Sequence, residues 1–169
     1  YQGTLEQFAG DSMMVIFNDP AIVEDPAIRA VRMALDMQQR FGELMTAWIK
    51  RGHDIALSIG IAHGYATIGM IGYETRIGYG VIGRVTNLAA RLCSVAQRGQ
   101  ILVSLPVFDL VDAVVETEEI GQVELKGFAR PVVAYGVLRA KSEAPKSDAA
   151  SWPLKIYTLG QFALLRDGK

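Results

Sequence analysis

The segment Arg76-Ile-Gly-Tyr-Gly-Val-Ile-Gly-Arg-Val-Thr-Asn-Leu-Ala-Ala-Arg-Leu92 constrains this chain more than any other. Up to Gly83 it is punctuated by Gly78, Gly80 and Gly83, which suits a short, tightly turned approach. From Arg84 to about Gln97, Val85, Leu88, Ala89, Leu92, Val95 and Ala96 recur at helical spacing, an apolar stripe that has to lie on a core. Arg84, Asn87 and Arg91 follow i, i+3 and i+7 and so share another face. Two guanidinium forks and an amide at the mouth of a glycine loop suit phosphate oxygens. An ordinary half-exposed helix shows such a face too, so spacing alone leaves both readings open.

With 169 residues the chain has room for one domain with a substantial core and little beyond it. Half of its residues are hydrophobic and 21% are charged, which excludes a disordered chain. A net charge of −1 provides no electrostatic footprint for nucleic acid. The single cysteine, Cys93, cannot close an internal disulfide, and a reducing, cytoplasmic compartment is expected. No apolar run approaches the roughly 20 residues that cross a bilayer, so no membrane partner is expected.

Taken in order, Tyr1 to Phe8 reads as a strand and Gly10-Asp11 as a turn. Met13 to Phe17 reads as a second strand, apolar throughout and expected to be buried on both faces. Asn18-Asp-Pro closes this hairpin. Asp25-Pro26 opens a helix, with Asp as N-cap and Pro in the first turn. Ile28, Val31, Leu35, Phe41, Leu44 and Trp48 form its stripe, Met33, Met37 and Met45 fill gaps, and Arg51-Gly52 ends it. Asp54 to about Ile68 reads as one strand, with His63 inside the core and too far from His53 to share a metal. A glycine-rich hairpin from Gly69 through Tyr79 leads into the Arg84 helix. Then come a strand at Gln100–Ser104, a short helix at Pro106–Leu110, and strands at Val114–Leu125 and Val132–Leu138. Hairpins force antiparallel pairing, so the pattern predicts an α+β fold, a sheet layered with helices.

Asp11, at a hairpin turn, is either a turn former or a ligand for a hard cation. Gly78-x-Gly80-x-x-Gly83 has the spacing of a dinucleotide fingerprint. It lacks the acidic residue expected about 20 positions on, where the chain reads Leu102-Val-Ser-Leu-Pro106. From position 140 the composition turns polar and alanine-rich, and Leu154 to Lys169 alternates like a strand up to a hairpin turn. That tail is a terminal strand of the same domain or the start of another.

Three stretches in order carry a resemblance. Tyr79-Gly-Val-Ile-Gly-Arg-Val-Thr-Asn87-Leu-Ala-Ala-Arg91-Leu resembles the helix motif of class III nucleotide cyclases. Glu6-Gln-Phe-Ala-Gly-Asp11-Ser-Met-Met-Val-Ile-Phe17 is similar to that family's metal-site hairpin, and Ile59-Gly-Ile-Ala-His-Gly64 to its central strand. The resemblance runs from Gly3 to about Leu138. It implies a ferredoxin-like antiparallel sheet layered with helices, here lacking its first strand, over residues 1–139. A linker follows at 140–153, and residues 154–169 resemble the opening strands of the winged-helix domain of bacterial activator-type regulators.

The resemblance also implies roles. Asp11 would be one of two Asp ligands for a pair of Mg²⁺ or Mn²⁺ ions, the other lying upstream of Tyr1. Asp19 cannot substitute, being roughly 25 Å away along the hairpin. Asn87 would orient the ribose and Arg91 would neutralise the α-phosphoryl group. Arg84 and Lys126 would bind substrate, although Lys126 equally fits a solvated lysine at a strand end. Gln7 and Gly80 fall at the base-reading positions, where cyclases using ATP usually carry Lys and Asp or Thr. The implied activity is conversion of ATP, ahead of GTP, into the 3′,5′-cyclic monophosphate and pyrophosphate by two-metal in-line attack, in bacterial signal transduction. A homodimer with composite sites is implied, with nucleic acid entering only through a C-terminal domain. With half a metal site, the chain alone is expected to be inactive. The alternative is an inactive cyclase-homology module that dimerises and regulates a C-terminal DNA-binding domain.

Overall fold

The computed structural model describes residues 1–73, 76–141, 154–157 and 163–166. The elements run β1 (Thr4–Ala9), β2 (Ser12–Ile16), α1 (Pro26–Ile49), β3 (Ile59–Ile61), β4 (Thr67–Tyr73), β5 (Arg76–Ile82), α2 (Arg84–Val95), β6 (Ile101–Ser104), α3 (Leu105–Val111), β7 (Val115–Val123) and β8 (Val132–Ala140). Two further strands, β9 (Leu154–Tyr157) and β10 (Ala163–Arg166), pair antiparallel with each other. The remaining residues of the expected linker and tail, from 142 on, lie outside the described residues.

The central sheet has the order β3-β6-β8-β7. β6–β8 and β8–β7 are antiparallel, but β3 runs parallel to β6, Ile59 opposite Ile101 and Ile61 opposite Val103. The sheet is therefore mixed, where hairpins alone predicted antiparallel pairing. A parallel pair needs a crossover, and here it contains the β4–β5 hairpin and α2.

Alternation along β6 builds the layers. Ile101 and Val103 meet Ala27, Val31 and Ala34 of α1, Val107 and Val111 of α3, Val115 of β7 and Val137 of β8. Leu102 points the other way, to Leu92 of α2, Leu125 and Ala134. The sheet thus lies between α1 with α3 on one face and α2 on the other.

Several expectations are corrected. The strand expected over Asp54–Ile68 breaks into Ile59–Ile61, limited by a partner β6 that is itself four residues long, and the first two residues of β4, which pair with β5 instead. Side chains hold the stretch before it: Gln38 Nε2 donates to the Leu57 carbonyl, Ser58 Oγ to that of Gln97, and Cys93 Sγ to that of Ser58. His63 is exposed, since the chain has left the sheet after Ile61. β2 is half-exposed instead of buried on both faces, with Met13 45% accessible, because β1–β2 forms a separate two-stranded sheet. Asp25 occupies the N-cap position in a left-handed conformation and makes no side-chain cap bond. The α1 stripe is buried only in its first half, at Ala27, Ala30, Val31 and Ala34. Leu44, Trp48 and Ile49 are exposed, and Phe41 meets Trp48 edge to face at 6.4 Å. A 24-residue helix is about 36 Å long and overhangs so narrow a sheet.

Candidate active site

Asp11 stands exposed at the tip of the β1–β2 hairpin, in a two-residue turn where Gly10 takes φ 62°. Below the tip the ladder slips. Leu5 opposes Val15 and Gln7 opposes Met14, which leaves Glu6 as the extra residue of a bulge. The bulge decides which side chain turns inward. Gln7, expected at the base position, is exposed, whereas Glu6 is half-buried. Glu6 Oε2 is sealed from solvent with no hydrogen-bond partner among the described residues. Its Oε1 lies 3.4 Å from where a Cβ on Gly80 of β5 would stand.

Tyr79, beside Gly80, donates its hydroxyl to both carboxylate oxygens of Asp19, at 2.8 and 2.7 Å. That bond, then burial, then the carboxylate charge hold the Tyr79 phenol above its usual pKa. Asp19 is buried at 9% accessibility, and its carbonyl accepts from Thr4 Oγ1 at 2.5 Å. The loop after β2 is thereby tied to β1 and to β5. Asp19 serves this junction.

α2 is seated backbone to backbone. A Cβ on Gly60 of β3 would come within 2.2 Å of the Ala89 carbonyl oxygen and 2.3 Å of the Cys93 nitrogen. One on Gly83, at the N-cap, would meet the Tyr65 carbonyl oxygen at 2.9 Å. Two glycines therefore fix the helix against its sheet. Arg84, Asn87 and Arg91 stand exposed on its outer side, as the spacing predicted. Arg84 lies over the Phe128 ring, 5.6 Å from its centroid, in the loop that also carries the exposed Lys126.

Cys93 faces inward. Burial, foremost, and the charge of Asp11 raise its thiol pKa, against a lowering backbone hydrogen bond from Gly60.

No three His, Cys, Asp or Glu side chains converge among the described residues. Asp11 alone fits a cation that takes one carboxylate plus water and substrate phosphates. It does not by itself hold a pair of ions. One surface depression, about 590 Å³, is lined by Asp36, Gln39, Arg40, Glu43 and Leu44 of α1 and includes none of the expected site residues. No helix among the described residues is long and apolar enough to cross a membrane.

The profile of the adenylate and guanylate cyclase catalytic domain matches residues 7–139. The chain belongs to this family. The cyclase domain is similar to the crystal structure of the adenylyl cyclase CyaB from P. aeruginosa, with 37% identity over 85% of this chain and 75% of that one, at a TM-score of 0.77. It is also similar to the guanylyl cyclase Cya2, with 34% identity over 82% and 71%, at 0.71. Adenylate cyclase 1 of Rhizobium meliloti is 28% identical over 89% of this chain. An uncharacterised protein of Mycobacterium tuberculosis is 30% identical over 78%. The chain spans about a quarter of the length of these last two relatives, 24% and 23%. The expected fold class is thereby established. Sequence reading missed the bulge at Glu6 and the Asp19–Tyr79 junction. A bulge leaves no mark in composition, and the junction joins residues sixty positions apart.

Proposed function

We propose that this domain supplies the catalytic residues of a purine nucleoside triphosphate cyclase. The observation that carries the reading is that Asp11 stands exposed at the tip of the β1–β2 hairpin and Asn87 and Arg91 stand exposed on the outer side of α2, within a domain whose family is established. In this reading a second copy contributes the missing half of each site. Asp11 on one subunit would hold a divalent cation, with the second carboxylate drawn from residues outside this chain. Bound there, the cation offsets triphosphate charge and favours the ionised ribose 3′-hydroxyl. Asn87 and Arg91 come from the other subunit. The Asn87 amide orients the ribose so that its 3′-oxygen lies in line with the α-phosphorus, and the Arg91 guanidinium balances charge growing on that phosphoryl group. Arg84 and Lys126, brought to one side by Phe128, attend the leaving pyrophosphate. Residues 154–169 are read as the start of a winged-helix domain, which the antiparallel β9–β10 pair suits.

Complementation tests the shared site. In a protein that carries this domain together with a second metal-binding carboxylate, Asp11→Ala and Arg91→Ala should each abolish cyclic nucleotide formation. Mixed with subunit exchange, half the dimers are hybrid and each hybrid has one intact site, so activity should return to roughly a quarter of wild type. A mixture that exchanges subunits and stays inactive refutes the composite site.

A further inference from the structure

We infer that Tyr79 and Asp19 are positioning residues for the proposed reaction: their bond sets where the Asp11 hairpin stands relative to the helix that carries Asn87 and Arg91. The inference rests on the cyclase reading above and adds two residues that act through others. Three observations carry it. First, among the described residues no backbone ladder joins the two pieces. β1–β2 and β4–β5 are separate two-stranded sheets, each paired within itself, so their mutual placement is left to side chains. Second, the Tyr79 hydroxyl meets both carboxylate oxygens of Asp19, at 2.8 and 2.7 Å. A hydrogen bond to an ionised acceptor is strong and fixes direction, whereas apolar contact has no preferred direction and lets surfaces slide. Third, Asp19 is buried to 9% accessibility, and a buried carboxylate is unfavourable unless it is hydrogen-bonded. Packing alone would not call for a charge there. The backbone around it is held as well: Thr4 Oγ1 donates to the Asp19 carbonyl, and Asn18 Oδ1 accepts the Val23 N–H at 2.9 Å across the loop.

The geometry shows what the bond controls. Asp19 follows the end of β2, and Asp11 directly precedes its start. Tyr79 lies on β5, which runs into Gly83, the N-cap of α2. One bond therefore joins the base of the Asp11 hairpin to the strand that delivers the helix. The hairpin acts as a lever: a tilt of about 3° at Asp19 moves a tip roughly 25 Å away by about 1 Å. In-line attack tolerates little of this, since misplacement by about 1 Å costs on the order of a hundredfold in rate. α2 already has its own seat on β3 through Gly60. The Tyr79–Asp19 bond supplies the corresponding seat for the hairpin.

The test measures kcat and KM with Mg²⁺ and ATP, then GTP, in a protein that carries this domain together with a second metal-binding carboxylate. Tyr79→Phe, which removes one oxygen, should cut kcat by about 10- to 100-fold and change KM by less than about threefold. Asp19→Leu should match it, and the double variant should be no worse than either, because all three remove the same bond. Asp19→Asn keeps an oxygen that accepts from the phenol, and should recover most of the rate. Val107→Ala, in the core between α1 and α3, is the stability control: it should lower the thermal midpoint and leave kcat unchanged well below that midpoint. If Tyr79→Phe keeps the wild-type kcat, the bond does not position the site and the inference is wrong, while the cyclase reading stands. If Val107→Ala loses kcat as Tyr79→Phe does, the loss reports stability alone and the inference is again wrong. If wild type forms no cyclic nucleotide from either substrate, the cyclase reading falls and takes this inference with it.

Discussion

Gly60→Ala probes how firmly α2 is seated. The new Cβ would lie 2.2 Å from the Ala89 carbonyl oxygen and 2.3 Å from the Cys93 nitrogen, where ordinary contact begins at 3.4 Å. The shortfall of 1.2 Å (3.4 less 2.2) falls on backbone atoms, which cannot rotate away as a side chain can. Either α2 withdraws from β3 by about that distance or β3 leaves β6. Overpacking typically costs about 1–3 kcal/mol, and rigid neighbours put this case near the top, about 3 kcal/mol. For a chain of this size that lowers the thermal midpoint by roughly 6–12 °C. Asn87 and Arg91 ride on the displaced helix, and misplacement by about 1 Å costs on the order of a hundredfold in rate. Gly42→Ala is the control: it lies within α1, a Cβ there meets nothing within 4 Å, and it should stabilise by about 0.5–1 kcal/mol. Differential scanning calorimetry of the two variants checks the pair. A Gly60→Ala midpoint within about 2 °C of wild type would show that the helix yields freely, and would refute the argument from close contact.

Other outcomes follow from the same geometry. Tyr79→Phe and Asp19→Asn should each lower the thermal midpoint, and the double variant should fall short of their sum, because both remove one junction. The raised phenol pKa means that folding favours protonated Tyr79. Its contribution is therefore full below pH 10.0, the ordinary value, and is lost as pH climbs through the higher folded value. Alkaline titration of the midpoint should fall more steeply for wild type than for Tyr79→Phe. Cys93 should react with iodoacetamide more slowly than a free thiol, since burial raises its pKa. Asp11→Asn should speed that reaction at fixed pH by removing a raising charge, and Mg²⁺ should do the same to wild type if it binds Asp11. An alkylation rate indifferent to Asp11→Asn would separate the two residues.

Elements whose periodicity and partners are local were legible. The α2 stripe from Val85 to Leu92, the Gly10-Asp11 turn and the succession β6, α3, β7, β8 emerge where spacing alone puts them, whereas Val95, at the end of the stripe, is exposed. The exposed face of Arg84, Asn87 and Arg91 does so too, since a helix fixes directions residue by residue. What failed depends on distant partners. Ile55 to Ala62 alternates well enough for a long strand, yet β6 is too short to pair with more than Ile59–Ile61. The apolar positions of α1 beyond Ala34 match a core-facing helix, but among the described residues Leu44 and Ile49 stay exposed. The bulge at Glu6 also left no mark in the sequence, since it depends on how β1 registers against β2. His63 was assigned to a strand that ends two residues earlier.

The bond between Tyr79 and Asp19 has a consequence for control. It couples the strand that carries Gly80 to the loop leaving the Asp11 hairpin, so neither hairpin can slide without dragging the other. A displacement of the loop that leaves the β1–β2 hairpin is therefore handed on to β5 through this one junction.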